Sequence, residues 1–209
     1  MNIIILGPQG SGKGTQAKLL SEKFGLFYFE SGNFLRELSK TKPDVGERIN
    51  RGELIPDEEM FGLVKDFLEK NVPSGQNMLL DGYPRSIAQY ENLKDWLESK
   101  GSKIDNAILL EISEAESVRR LSARRMDKTT GKIYNLVTAP PPPEVNQDSL
   151  IQREDDTPEA IKVRLAKYQE VTAPLVSELE QEGILKKVNG ERPIEAIFAD
   201  LQQIVGVGA

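Results

Sequence analysis

Two short stretches of this chain carry the residues best suited to chemistry on phosphates. The first, Gly7-Pro8-Gln9-Gly10-Ser11-Gly12-Lys13-Gly14-Thr15, packs glycines around one lysine and two hydroxyls. Glycines at this density let successive backbone N–H groups point into one concavity, and with a helix N-terminus that concavity holds a polyphosphate. Lys13 is long enough to reach the β- and γ-phosphates of a nucleotide. The second, Met78-Leu79-Leu80-Asp81-Gly82-Tyr83-Pro84-Arg85, is an apolar run closing on Asp, Gly, Pro and Arg. A carboxylate at the C-terminal end of a buried strand faces the ligand crevice of an open α/β sheet, so Asp81 is expected to orient Mg²⁺ through its waters. Arg85 is expected to hold a phosphate by two parallel hydrogen bonds. Further on, Arg120 and Arg124 lie four apart and are expected to share one helix face. Each feature alone has a plain alternative: a turn that binds nothing, a strand-ending Asp-Gly, a solvated arginine face. Their joint presence favours phosphate binding.

The elements that must position these groups follow from the apolar pattern. Asn2-Leu6, Leu26-Phe29, Asn77-Leu80, Ala107-Ile112 and Ile184-Val188 read as strands. Gly14-Lys23, Asp57-Glu69, Ile87-Lys100, Ala115-Arg125, Pro158-Glu182 and Pro193-Val205 read as helices. Thr157 before Pro158 is a good helix start, a capping hydroxyl followed by proline at the first helical position. Alternation of strand and helix implies parallel strands with crossover helices, hence an α/β fold with a doubly wound five-stranded parallel sheet.

Two stretches break the rhythm. Ser31–Pro56 is polar and mostly helical, and Met126–Asp156 holds Thr129-Thr130-Gly131 and the run Pro140–Pro143. A structureless loop that long is uncommon unless functional. The second therefore reads as a small irregular or β-rich lid flanked by arginines, in preference to a stiff polyproline segment. The expected organisation is one domain with its core in residues 1–29, 57–122 and 157–209, a helical insertion over 30–56 and a lid over 123–156.

The totals narrow the function classes. With 27 Lys+Arg against 33 Asp+Glu, the formal charge is −6, whereas a general nucleic-acid binder is expected to be basic. No apolar run approaches the roughly 20 residues needed to span a bilayer. Met1-Asn2 leads straight into Ile3-Leu6 without a basic region or cleavage site, so no secretory signal is expected. Neither nucleic acid nor membrane is an expected partner, and a cytoplasmic setting is expected. The chain has no cysteine, which excludes disulfides and thiolate metal sites, and no histidine, which removes the usual near-neutral base. Chemistry by positioning and charge stabilisation fits that composition.

The strict phosphate-loop pattern wants Ser or Thr directly after the lysine; here Gly14 stands there and the hydroxyl follows on Thr15. Gly12-Lys13-Gly14-Thr15-Gln16 resembles the phosphate loop of the nucleoside-monophosphate kinases. Asp81-Gly82-Tyr83-Pro84-Arg85-Ser86-Ile87-Ala88-Gln89 closely resembles the adenylate kinase signature, with Tyr83 where the family usually carries Phe. Ser31-Gly32-Asn33-Phe34-Leu35-Arg36 resembles the monophosphate-binding segment, with Ser31 for the usual Thr and Asn33 for the usual Asp. Arg120-Leu121-Ser122-Ala123-Arg124-Arg125 and Arg153-Glu154-Asp155-Asp156 are similar to the lid borders of long-lid members, and the resemblance covers essentially the whole chain.

This resemblance implies an adenylate kinase activity, the reversible transfer of a phosphoryl group between Mg-ATP and AMP. It implies ATP binding by Gly10, Ser11, Gly12, Lys13, Gly14, Thr15, Arg120, Arg124, Ile133, Tyr134 and the backbone around Arg192. It implies AMP binding by Ser31, Arg36, Glu53, Leu54, Ile55, Gly82, Tyr83, Pro84, Arg85 and Gln89, joined by Arg153 and Arg164. Catalysis would rest on Lys13, Arg85, Arg120, Arg124, Arg153 and Arg164. Gln89 is the main reason for choosing AMP, since pyrimidine-specific relatives usually carry Asn there. Many bacterial relatives staple the lid with zinc; this chain has neither Cys nor His, so no structural zinc is expected. A monomer is expected, because the lid must swing. The rival readings are a UMP/CMP-type or GTP-using kinase, a nucleotide-sensing switch or ATPase, and an inactive binding protein.

Overall fold

The computed structural model describes residues 1–50 and 55–206. The chain opens with β1 (Asn2–Leu6), α1 (Lys13–Phe24) and β2 (Phe27–Glu30), followed by the helices α2 (Ser31–Ser39), α3 (Pro43–Asn50) and α4 (Asp57–Asn71). Then come β3 (Met78–Asp81), α5 (Ile87–Ser99), β4 (Asn106–Glu111) and α6 (Glu114–Ser122). Three short strands follow, β5 (Arg124–Asp127), β6 (Ile133–Asn135) and β7 (Leu150–Ile151). The chain returns through α7 (Pro158–Lys167), α8 (Ala173–Gln181), β8 (Leu185–Asn189) and α9 (Ile194–Gly206).

The central sheet has five strands in the order β2-β3-β1-β4-β8, and every pairing is parallel. β1 is Asn-Ile-Ile-Ile-Leu and buried throughout, as a strand covered on both faces must be. Ile3 and Ile5 join Leu79, Ile108 and Leu110 in a core completed by Ala17 and Leu20 of α1 and Ile197, Leu201 and Val205 of α9. Ile4 and Leu6 face the other way, against Leu80 and Leu109, beneath Val64, Leu93 and Leu175 of α4, α5 and α8. Truncating one such isoleucine to alanine costs about 2–5 kcal/mol. β1 lies where the chain turns from one half of the sheet to the other. The crevice beyond its C-terminal end is therefore the place where such sheets bind ligands.

The strand calculus from sequence is nearly right but shifted: β2, β3 and β8 sit one residue later than expected, and β4 begins and ends one earlier. The apolar run marks which residues are buried, whereas the ladder continues through polar residues such as Glu30, Asp81 and Asn189. Two helices differ more. The helix expected over Ala115–Arg125 stops at Ser122, and Arg124 opens β5. The single helix expected over Pro158–Glu182 divides into α7 and α8 around a wide π turn at Tyr168–Thr172. Pro174 lacks an N–H and its ring crowds the carbonyl four residues back, which a widened turn accommodates.

β5 pairs antiparallel with β6 and with β7, making a second, three-stranded sheet in the order β6-β5-β7. This is the β-rich alternative for the lid stretch. Asp127 ties its turn together: it accepts the Thr129 N–H at 2.8 Å and the Thr130 hydroxyl at 2.9 Å. The Lys128 N–H reaches the Ser149 carbonyl at 2.9 Å, linking this turn to the segment before β7.

Candidate active site

The loop between β1 and α1 is pressed hard against its surroundings. At Gly7 the backbone has φ 146°, and a Cβ there would lie 2.5 Å from the Leu110 carbonyl oxygen. The first turn of α1 carries no acidic side chain, and its cap Gly12 makes no side-chain bond to it. Its N–H groups are therefore left to meet an anion. Lys13 lies across the loop, its Nζ donating to the carbonyls of Gly7 at 2.7 Å and Pro8 at 3.0 Å. Burial lowers the Lys13 ammonium to about 8, with Asp81 opposing the shift and Arg85, Arg164 and Arg124 adding to it. Ser11 is buried within the loop, while Thr15 is exposed at its mouth.

Asp81 ends β3 beside Glu30, its register partner on β2. Its Oδ2 accepts the Tyr28 hydroxyl at 3.2 Å and lies 3.6 Å from where a Cβ on Gly14 would be. Burial raises the Asp81 carboxyl above its usual range, opposed by Lys13 and assisted by Glu30. Among the described residues this carboxylate has no ion pair within 4.0 Å. A buried, unpaired carboxylate next to a phosphate loop fits a hydrated divalent cation.

Next to it, Ser31 at the start of α2 donates to the Gly82 carbonyl at 2.7 Å. Arg85 Nε donates to that same carbonyl at 2.8 Å, and its Nη2 reaches Ser31 Oγ at 3.4 Å. These bonds fix one edge of the guanidinium and leave Nη1 without a partner among the described residues. Gly82 has φ 75°, and a Cβ there would collide with Ser31 Oγ at 2.5 Å. Arg36, one helical turn along α2, pairs with Glu30 at 3.3 Å. Tyr83 and Pro84 are buried behind Arg85, and the Tyr83 hydroxyl donates to the Gln89 carbonyl at 3.4 Å. Gln89 is buried and its amide is held at both ends. Oε1 accepts the Arg85 N–H at 2.8 Å, and Nε2 donates to Asp57 Oδ1 at 2.8 Å. Ile55 is buried nearby in the same core, and Glu53 and Leu54 lie outside the described residues.

The remaining arginines converge from the three-stranded sheet and α7. Arg124 grips Asp156 with two bonds, Nε to Oδ2 at 2.7 Å and Nη2 to Oδ1 at 2.5 Å, and the Asp156 side chain is 0% exposed. Arg164 Nη1 reaches Asp155 Oδ2 at 2.9 Å and Asp156 Oδ1 at 3.5 Å. Burial weakens the hold of Arg153 on its proton, followed by repulsion from Arg124 and Arg36. Burial likewise lowers Arg164, with Arg124 and Arg36 among the contributors, and lowers Arg85, with Arg164 next. Lys13, Arg36, Arg85, Arg124, Arg153 and Arg164 therefore form one electrostatically coupled cluster. Arg120 stands apart from it: Glu116 binds it at 2.5 Å, and its Nη1 lies 3.5 Å from the Gly10 carbonyl. The expectation that Arg120 and Arg124 share a helix face does not hold, because α6 ends between them at Ser122 and Arg124 opens β5, where it meets Asp156. Arg192, just before α9, pairs with Asp200 midway along that helix, and its Nε is buried without a partner among the described residues. Ile133 is exposed on β6, and Tyr134 is buried beneath Lys132.

The adenylate kinase family model matches residues 5–184 of this chain. The chain belongs to the adenylate kinase family. An adenylate kinase of Clostridium botulinum (strain 657 / Type Ba4) is 38% identical to it over 99% of both chains. One of Archaeoglobus fulgidus is 37% identical over 98% of both, and one of Salinibacter ruber 39% identical over 97% of both. As a member of this family the protein is a nucleoside-monophosphate kinase, a phosphotransferase.

Several partners in this adenylate kinase family site escaped the reading of its sequence. Asp57 and Tyr28 each act on a site residue far away in the chain, Glu30 pairs with Arg36 six residues on, and Asp156 binds two arginines at once. Asp57 offered one signal, an acidic residue at the first position of a helix. That pattern is common and has a sufficient local cause in the helix dipole. Among the described residues, no helix is long and apolar enough to cross a membrane.

Proposed function

We propose that this chain transfers the terminal phosphoryl group of Mg-ATP to AMP, reversibly, giving two ADP. The observation that supports the reading is that the Gly7–Thr15 loop and the Ser31-Gly82-Arg85 cluster lie within electrostatic reach of each other through Lys13 and Arg85, so each could hold one phosphate group. A simple ATPase has no use for the second cradle.

In this reading the loop amides and Lys13 hold the ATP phosphates, while Arg120 and Arg124 approach them from the lid side. Ile133, Tyr134 and the backbone around Arg192 border the donor adenine. Ser31, Arg36 and Arg85 hold the AMP phosphate, with Ile55, Gly82, Tyr83, Pro84 and Gln89 around its adenine. Arg153 and Arg164 face the migrating group. Asp81 and Thr15 are the groups suited to hold Mg²⁺ through its waters, and the cation when bound neutralises charge between the β- and γ-phosphates. Catalysis is then positioning and electrostatic stabilisation of charge on the transferring oxygens, without a protein base. Residues 30–56 act as the monophosphate-binding insertion and 123–156 as a lid that excludes water, which would otherwise accept the phosphoryl group. The reading extends to a cytoplasmic monomer, where ATP and AMP are at hand and the lid swings freely.

The test supplies Mg-ATP with AMP, CMP, UMP or GMP in turn and follows diphosphate formation. ADP production dependent on AMP is expected. Equal ADP production with and without AMP would overturn the transfer reading, and faster transfer to CMP or UMP would overturn the choice of AMP.

A further inference from the structure

We propose that Asp57 is a specificity-determining residue, which sets the sense of the Gln89 amide so that the site accepts a 6-aminopurine and rejects a 6-oxopurine. The inference rests on the reading of Gln89 as the group that meets the acceptor base.

A primary amide has a donor end and an acceptor end of nearly the same shape, so only its neighbours decide which way it faces. Here both neighbours agree. A carboxylate at Asp57 can only accept, so it demands the NH₂ end, and Oδ1 takes Nε2 at 2.8 Å. The Arg85 backbone N–H can only donate, so it demands the oxygen, which it meets at 2.8 Å. Asp57 is itself fixed, because its Oδ2 accepts the Ser86 hydroxyl at 2.9 Å while Ser86 Oγ caps α5 by accepting the Gln89 N–H at 3.1 Å. The closed ring of Asp57, Ser86, Gln89 and Arg85 joins the first residue of α4 to the first turn of α5. It leaves one Nε2 hydrogen and one Oε1 lone pair of Gln89 in a fixed order. Adenine presents an acceptor at N1 and a donor at N6, which this order matches. Hypoxanthine presents a donor at N1 and an acceptor at O6, which it opposes.

Helix-dipole stabilisation of α4 is the local explanation for an acidic residue at this position. It predicts a change in stability and none in base preference, so the two separate by experiment. Asp57→Asn keeps the shape and removes the demand for a donor. Steady-state kinetics of the full chain are measured with AMP and with IMP as acceptors, for the parent, Asp57→Asn, Gln89→Ala and the double variant. Calorimetric AMP binding without ATP supplies a readout independent of turnover. For Asp57→Asn the expected results are a KM for AMP raised about tenfold, the scale of one lost charge-assisted hydrogen bond, and an unchanged KM for ATP. The preference for AMP over IMP in kcat/KM should fall by about tenfold, with no further fall when Asp57→Asn is added to Gln89→Ala. An unchanged preference in Asp57→Asn, beside a lost preference in Gln89→Ala, would overturn the role of Asp57 and leave the Gln89 reading standing. So would an equal effect of Asp57→Asn in the parent and in Gln89→Ala. An unchanged preference in Gln89→Ala would overturn both.

Discussion

Removing the Asp156 carboxylate should loosen the arginine cluster by an amount that the structure lets one work out. Its side chain is 0% exposed and accepts two bonds from Arg124, at 2.7 and 2.5 Å, with Arg164 a further contact at 3.5 Å. Breaking a buried pair by deleting one member costs about 3–5 kcal/mol, because the other charge stays behind uncompensated. Here the stranded charges are not sealed in, since Arg124 is 17% and Arg164 29% exposed. Water reaches them, and the lower end of the range applies, about 3 kcal/mol. For a chain of this size each kcal/mol moves the melting midpoint by about 2–4 °C, so Asp156→Ala should lower it by about 6–12 °C. Asp155 is the built-in control. It also binds Arg164, at 2.9 Å, but is 51% exposed, and an exposed pair contributes about 0–1 kcal/mol. Asp155→Ala should therefore lower the midpoint by no more than about 4 °C. Calorimetric melting of both variants decides the matter. If Asp156→Ala melts no earlier than Asp155→Ala, the claim that a buried carboxylate organises these arginines is wrong.

Three further predictions address other parts of the site. Lys13, lowered to about 8 by burial, should lose its proton in the free protein as pH rises through that value, so kcat/KM for ATP should fall above about pH 8; a profile flat to about pH 9 would refute this. The same group sheds its proton earlier folded than unfolded, so its contribution to stability should rise with pH between about 8 and the ordinary lysine value of 10.5. Gly82→Ala places a Cβ 2.5 Å from Ser31 Oγ at φ 75°, and should raise the KM for AMP more than tenfold while leaving the KM for ATP unchanged, as acceptor- and donor-varied kinetics would reveal. Asp127 is held below its ordinary value, first by the Thr129 N–H, so its contribution to lid stability is present above the unfolded carboxyl value of about 3.9 and is lost as pH falls through the folded value. Asp127→Ala should accordingly make the 127–150 segment more susceptible to limited proteolysis at neutral pH, and cleavage no faster than in the parent would count against the knot.

The sheet and the glycine-rich turn between β1 and α1 were legible because their causes are local. A strand buried on both faces must be apolar throughout, as β1 and β3 are, and a loop that cradles phosphate must be glycine-rich. What the chain hides is where a pattern stops for tertiary reasons. Nothing between Ser122 and Met126 breaks helices, no glycine and no proline, yet Arg124-Arg125-Met126 leave the helix because β6 and β7 offer ladders on either side. In the other direction, Pro174 was a visible signal whose effect, a π turn instead of a break, depends on how α7 and α8 pack. The acidic partners were the least legible. Asp57 meets Gln89 across 32 positions, as Asp156 meets Arg124, and no periodicity links residues so far apart.

Those acidic partners bear on how the proposed transfer avoids hydrolysis. A chain with a formal charge of −6 gathers Lys13, Arg36, Arg85, Arg124, Arg153 and Arg164 into mutual electrostatic reach. Two unit charges about 8 Å apart at an effective dielectric of about 20 repel by about 2 kcal/mol, so a cluster of this kind opposes its own assembly. Three stretches supply it: the segments after β1 and β3 (Lys13, Arg85), α2 (Arg36) and the run from β5 to α7 (Arg124, Arg153, Arg164). Asp156, Asp155, Glu30 and Asp81 neutralise only part of that charge. In the proposed reading, the remaining counter-charge is what two nucleotides would bring. In that reading, ATP alone would satisfy Lys13 and Arg124 while leaving Arg36 and Arg85 repelling them; AMP alone would do the converse. Full convergence is thus most favourable when both phosphate chains are in place. A site assembled by that balance completes its water-excluding geometry only when an acceptor is present, which is the condition under which transfer outcompetes hydrolysis.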